Sequence, residues 1–268
     1  MSVLRTALLQ SSGRPGDPAA QLAALGDAAR RAADAGARLL VCPELFLTGY
    51  ALDEDLHRLA EPADGPSARA VARTARETGV AIAYGYPERD GEQVYNAVQF
   101  VPADSAPATT YRKAHLYGDY ERRWFTPGTD TVVQARLDGL TVGLMVCYDV
   151  EFPEFVRAHA LAGTDLLLVP TAQLHPYEFV AESLVPVRAF ENQMYLAYVN
   201  RTGPEGEWDF VGRSCLAGPD GTARARAGRA EELLLADVDT DLLAAGRDRN
   251  PYLADRRPEL YGALTGRA

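Results

Sequence analysis

Leu144-Met145-Val146-Cys147-Tyr148-Asp149, followed at once by Val150-Glu151-Phe152-Pro153-Glu154, is the stretch that decides the fold. The apolar run from Leu140 to Val146 predicts a buried strand. Pro153 to Ala162 predicts a helix, with Pro153 at the tolerated first position and Glu154 at the favourable end of the dipole. A thiol therefore stands at the carboxyl end of a strand, close to a helix N-terminus. That position lowers a thiol pKa and aims backbone N–H groups at a developing oxyanion. A cysteine there is also often a plain core residue, and the local pattern leaves both readings open.

Outward from this junction the chain alternates. Asp165–Val169 reads as a strand, Tyr177–Gln193 as a long amphipathic helix, and Tyr195–Asn200 and Ser214–Ala217 as strands. The first half repeats the order. Val3–Leu9 is a strand, and Asp17–Ala37 a helix with Asp17 and Pro18 at its start and Gly36 at its end. Arg38–Val41 is a buried strand running into Cys42-Pro43-Glu44, and Ser67–Thr78 a helix stopped by Gly79. Val80–Tyr86 and Gln93–Val101 pair across a turn at Asp90-Gly91. Each half is β-α-β-α-β-β, with a period of roughly 130 residues and negligible identity between halves. Sheets covered by helices are implied. Packed face to face, two such halves make an α/β fold of four layers, an α-β-β-α sandwich. No Ser/Gly-rich linker divides them, so residues 1–245 are expected to form one domain. Residues 246–268, rich in Pro, Arg and Tyr, are expected to be a tail packed on the domain or on a partner subunit.

The composition narrows the function. At 268 residues with 47% hydrophobic and 24% charged residues, the chain can hold a core without disulfide or metal staples. With 27 Lys+Arg against 37 Asp+Glu, net −10, it lacks the basic footprint of a nucleic-acid binder. The acidic balance fits a cationic ligand only weakly. The three cysteines, Cys42, Cys147 and Cys215, are odd in number and widely spaced, which suggests neither a disulfide framework nor a metal site. No apolar stretch is long enough to cross a membrane, and the N-terminus does not read as a signal peptide. A cytoplasmic protein in a reducing compartment is expected.

Familiar cofactor motifs fail. There is no P-loop and no GxGxxG after a strand. Gly212-Arg213-Ser214-Cys215-Leu216 lacks the second glycine of a nucleophile elbow. His57, His115, His159 and His175 share no metal-ligand spacing. What remains is ionisable groups at strand ends, where open α/β folds gather their sites. Glu44 follows Pro43, and Lys113 lies in Tyr111-Arg112-Lys113-Ala114-His115-Leu116. A desolvated carboxylate can act as general base, and a lysine beside it can hold an oxyanion. Taken singly, each also fits a structural ion pair.

Pro43-Glu44-Leu45-Phe46-Leu47-Thr48-Gly49-Tyr50, the lysine segment, and Cys147 through Glu154 together resemble the nitrilase superfamily of carbon–nitrogen hydrolases. The three motifs occur in order, and the resemblance runs from the first strand to about Thr240. It implies the sandwich fold, pairing into homodimers or higher oligomers, and no metal or organic cofactor. It also implies roles: Glu44 as general base, Lys113 as stabiliser of the oxyanion, Cys147 as nucleophile. A further glutamate eight residues after the lysine, Glu121, would position substrate or lysine. Tyr50, Tyr148, Thr171, Ala172 and Gln173 would contact substrate.

Val169-Pro170-Thr171-Ala172, Pro176-Tyr177-Glu178-Phe179 and Arg188-Ala189-Phe190-Glu191-Asn192-Gln193 look most like the 5-aminopentanamidase and R-stereoselective amidase group, with Gln173 where asparagine is expected. The implied reaction is hydrolysis of a small primary aliphatic amide to acid and ammonia through a cysteine thioester. The implied substrate is an ω-amino or ω-guanidino amide, such as 5-aminopentanamide or 4-guanidinobutanamide. Asp119, Glu151, Glu178 and Asp209 are then candidates to meet its cationic end. An N-carbamoyl amine hydrolase, a dicarboxylate ω-amidase and a silent binding protein are the competing readings.

Overall fold

A strand buried on both faces cannot alternate apolar and polar residues, and Leu39-Leu40-Val41 is apolar throughout for that reason. In the computed structural model, which describes residues 3–266, Leu39 and Val41 face a core between two sheets. Leu40 faces a second core under helices. The same alternation recurs in the other half. Leu166 and Leu168 point between the sheets, while Leu167 and Val169 point to the outer helices.

The first five strands are β1 (Val3–Gln10), β2 (Leu39–Val41), β3 (Ala81–Asp90), β4 (Gln93–Val101) and β5 (Thr109–Arg112). Then come β6 (Val133–Leu137), β7 (Leu140–Leu144), β8 (Leu166–Thr171) and β9 (Tyr195–Asn200), a hairpin of β10 (Thr202–Glu205) and β11 (Trp208–Val211), and β12 (Cys215–Ala217), β13 (Ala223–Arg226) and β14 (Glu232–Asp239). One sheet has the order β14-β1-β2-β3-β4-β5 and the other β13-β12-β9-β8-β7-β6. In each, three parallel strands are flanked by one antiparallel strand on one side and two on the other. The halves are therefore architectural copies, as the repeated order implies. β6 holds beside β7 the place that β14 holds beside β1.

Helices α1 (Pro18–Asp34) and α3 (Pro66–Thr78) cover the first sheet; α5 (Pro153–Leu161) and α6 (Val185–Asn192) cover the second. The short α2 (Glu54–Leu59) and α4 (Gly118–Trp124) lie in loops, and α7 (Thr240–Arg249) follows β14. Asp17 caps α1, its side chain accepting from Ala20 N–H. Gly36 and Gly79 end α1 and α3 in the left-handed region. The result is the expected α-β-β-α sandwich.

Tyr177–Gln193 is not one regular helix. Its first part, Val180–Leu184, is a π turn in which Val185 N–H reaches Val180 O. Pro186 has no N–H to continue the α ladder, and the wider turn accommodates that loss. Beyond Asn250, Tyr252 meets Phe190 of α6 edge-on at 5.8 Å, and Leu253 packs on the outer core of the second sheet. Among the described residues no helix is long and apolar enough to cross a membrane.

The topology puts the carboxyl ends of β2, β5, β7 and β8 at one end of the sandwich. β5 runs antiparallel to β4 and β4 to β3, so β5 points the same way as β2. The two sheets meet there through Glu44 N–H and Thr171 O, 3.4 Å apart.

Candidate active site

Each of the four residues expected to do chemistry follows one of these strand ends or sits on a helix beside them. Glu44 lies three residues beyond β2, in a turn where Leu45 takes φ +46°. Gly85 of β3 passes directly under this turn. Its N–H donates to Pro43 O and its carbonyl accepts from Leu47 N–H. A Cβ at residue 85 would stand 2.4 Å from Leu45 N and 2.8 Å from Glu44 Cα, so only glycine allows the approach. Lys113 follows β5, its N–H bonded to Asn96 O and its carbonyl to Gly128 N–H, both at 2.8 Å.

The side chains converge in full burial. Lys113 Nζ donates to Glu44 Oε1 at 2.8 Å and to Glu121 Oε1 at 2.6 Å, and all three side chains are 0% exposed. Glu121, on α4, also accepts from Tyr50 OH at 2.8 Å and, on Oε2, from Tyr117 N–H at 2.7 Å. Burial pushes its carboxyl up, against the pull of Lys113. Glu44 Oε1 takes a second donor, Asn96 Nδ2, at 2.6 Å. Glu44 Oε2 is buried and has no hydrogen-bond partner among the described residues.

Cys147 opens a 3-10 turn, Cys147–Glu151, with φ +47°. That conformation is rare for a side chain other than glycine and costs about 1–2 kcal/mol. The turn is held from several sides. Asp149 accepts from Val146 N–H, from Tyr111 OH and from both His115 N–H and His115 Nδ1. Arg188 donates to the carbonyls of Val150 and Glu151. The expectation that the strand-end position lowers the thiol pKa is overturned. Burial, with Glu44 and Glu121 nearby, pushes the Cys147 thiol well up, and Lys113 and the Ala172 N–H only partly oppose it. Desolvation outweighs a helix terminus because the thiol is nearly enclosed.

Cys147 lies on the wall of a cavity of about 220 Å³. Of the residues expected to meet substrate, Tyr50, Tyr148, Ala172 and Gln173 line it together with Glu121. Thr171 does not; its hydroxyl donates to Val169 O behind the wall. Of the four acidic candidates for a cationic end, only Glu151 lines the cavity. Glu178 pairs with His175, Asp209 with Arg229, and Asp119 is fully exposed. Sequence reasoning missed Asn96 and gave Asp149 no role. The available signal for Asn96 was a polar residue among apolar neighbours of β4, a signal that Gln99 shares, since a buried amide needs partners.

Comparison with known proteins agrees with this geometry. Residues 5–248 match the family model described as carbon-nitrogen hydrolase. A protein of Pseudomonas protegens described as "Hydrolase in pqqF 5'region" is 47% identical over 270 residues, covering 100% of this chain and 94% of the relative. An (R)-stereoselective amidase of a Pseudomonas species is 35% identical, covering 98% and 94%. A double mutant of the amidase from Nesterenkonia sp. AN1, solved with acrylamide, superposes with a TM-score of 0.88 at 36% identity over 97% of both chains. Fold, buried cluster and relatives thus converge: the chain belongs to the carbon–nitrogen hydrolase family, within the nitrilase superfamily, and is a hydrolase of amide C–N bonds.

Proposed function

We propose that the protein hydrolyses a small primary aliphatic amide carrying a distal cation, an ω-amino or ω-guanidino amide, to the acid and ammonia. The observation that carries the substrate class is Glu151. It is the one acidic candidate on the cavity wall, where burial raises its pKa and the neighbouring Gln173 side chain opposes the shift only in part. A carboxylate held half out of water gains most from a cationic partner. Tyr148, Tyr117 and Tyr177 share the wall, and aromatic faces favour cations. A cavity of about 220 Å³ is smaller than the range of about 300–1,000 Å³ usual for drug-sized ligands.

In this reading Glu44 Oε2 takes the thiol proton as Cys147 Sγ bonds to the amide carbon. Lys113 Nζ and the Tyr148 backbone N–H hold the oxyanion. Glu44 returns the proton to the amide nitrogen, the C–N bond breaks and ammonia leaves a thioester. Glu44 then takes a proton from water, whose oxygen attacks the thioester, and the thiol is restored as the acid departs. Glu121 keeps Lys113 in place.

The test is ammonia release from unsubstituted, ω-amino, ω-guanidino and ω-carboxy amides. Cys147→Ala and Glu44→Gln abolish turnover, and retained turnover in either refutes the roles. Glu151→Gln lowers kcat/KM for the cationic amides and spares butanamide. If butanamide matches its ω-amino analogue in the native enzyme, the cationic assignment falls and the amidase reading stands. Carbon dioxide appearing with the ammonia would identify an N-carbamoyl substrate instead.

A further inference from the structure

Glu44 presents two chemically unequal oxygens. Oε1 carries two donors, Asn96 Nδ2 at 2.6 Å and Lys113 Nζ at 2.8 Å, while Oε2 is buried with none among the described residues. Lys113 alone does not produce this arrangement, because it is shared with Glu121 at 2.6 Å. Asn96 is 1% exposed, and its Nδ2 is committed to Glu44. Its own Oδ1 is buried and has no partner among the described residues. Turning the amide over would set two acceptors against each other at 2.6 Å, so the N–H must face the carboxylate. The fold therefore keeps an unsatisfied buried acceptor in the middle of β4 in order to place one N–H on Glu44 Oε1. An apolar residue would avoid that cost.

We propose that Asn96 is a positioning residue for the amidase reaction, tying up Glu44 Oε1 so that Oε2 is the oxygen that carries the proton. Its backbone serves the same cluster, since Asn96 O accepts from Lys113 N–H at 2.8 Å. That bond survives any change of the side chain, so substitutions isolate the amide. The inference rests on Glu44 being the base of the proposed function. The charged or titratable groups around Glu44 are Lys113 beyond β5, Glu121 of α4, Cys147 beyond β7, and Tyr50. All are unchanged in the test variants.

A hydrogen bond to an ionised group favours that ionised form. Without the Asn96 N–H, Glu44 holds its proton more tightly in the resting enzyme and fewer molecules are competent at low pH. The experiment compares pH profiles of kcat/KM for native enzyme, Asn96→Ala and Asn96→Asp, with circular dichroism to verify folding. The acid limb moves up by about one to two pH units in Asn96→Ala. It moves further in Asn96→Asp, which keeps the shape and adds a like charge. In both variants the loss shrinks towards alkaline pH. A loss of kcat/KM that is equal at every pH, or an unmoved acid limb in either folded variant, overturns the proposal. Glu44→Gln is run alongside. If it turns over, the base assignment has failed and the proposal with it; if it is dead while the Asn96 limb is unmoved, only the role of Asn96 is refuted.

Discussion

Replacing Lys113 by methionine should destabilise the protein in a way that depends on pH, and the structure sets both size and sign. Methionine keeps most of the volume, so packing changes little. What disappears is the cation bonded to both Glu44 and Glu121, at 2.8 and 2.6 Å, where all three side chains are fully buried. Removing one partner of a buried ion pair costs about 3–5 kcal/mol. Against a total stability of about 5–15 kcal/mol, the variant remains folded but is markedly weakened. The penalty arises only when the carboxylates are charged. Glu121 is already raised by burial with Lys113 opposing, and loss of the lysine raises it further. A carboxyl raised in the folded state contributes stability that is fully present below its unfolded pKa of about 4.3 and lost as pH rises through the folded value. The variant should therefore lose most near pH 8 and recover part of the loss near pH 5. Urea unfolding at both pH values, with m-values compared, measures it. A penalty below about 1 kcal/mol near pH 8, or one that grows on acidification, would refute the picture of two carboxylates held in place by one lysine.

The same geometry yields two further expected outcomes. Gly85→Ala places a Cβ within 2.4–2.8 Å of backbone atoms of Pro43, Glu44 and Leu45. It should cost about 1–3 kcal/mol in stability and depress kcat more than KM for amide hydrolysis; unaltered melting and kinetics would show that the Glu44 turn has slack. Limited iodoacetamide should label Cys147, on the cavity wall, before Cys42 and Cys215. Burial raises all three thiols, so access sets the order: Cys147 borders the cavity, whereas Cys42 and Cys215 are fully buried. Peptide mass mapping reads the order, and equal labelling of the three thiols would contradict it.

What could be read from the chain was whatever depends on local pattern. Glu44 and Cys147 stand just past apolar runs readable as strands, but the roles of Glu44, Lys113, Glu121 and Cys147 were legible only through the resemblance of their motifs, taken together, to a known family. What could not be read depends on contacts far apart in sequence. β14 pairs with β1 across more than two hundred residues, from Val3 with Asp239 to Gln10 with Glu232, and no local signal marks such a partner. Asn96 looks like an ordinary polar residue until the pairing of β4 with β3 and β5 brings it under Glu44. The Tyr177–Gln193 helix misled because its apolar periodicity survives through the π turn at Val180–Leu184, just before Pro186. The direction of the Cys147 shift was misread for a related reason. A helix terminus is visible in the sequence, whereas the burial that outweighs it, and the Glu44 and Glu121 charges that add to it, come from packing of segments distant in the chain.

That raised thiol bears on why a base must stand inside the site. With both carboxylates ionised, Glu44, Glu121 and Lys113 together carry one net negative charge on fully buried side chains. Ionising Cys147 by releasing a proton to solvent would add a second negative charge there, which desolvation strongly opposes. Passing the proton to Glu44 instead leaves the sum unchanged. One carboxylate becomes neutral as the sulfur attacks, and the charge reappears on the amide oxygen, where Lys113 can meet it. Under the proposed mechanism the charge of the cluster stays at minus one throughout, and only its location moves. Lys113 bonded to both carboxylates and a Glu44 Oε2 without a partner among the described residues are the arrangement such a transfer needs. The cation must stay charged while its neighbour changes state, and the oxygen that takes the proton must not already be engaged.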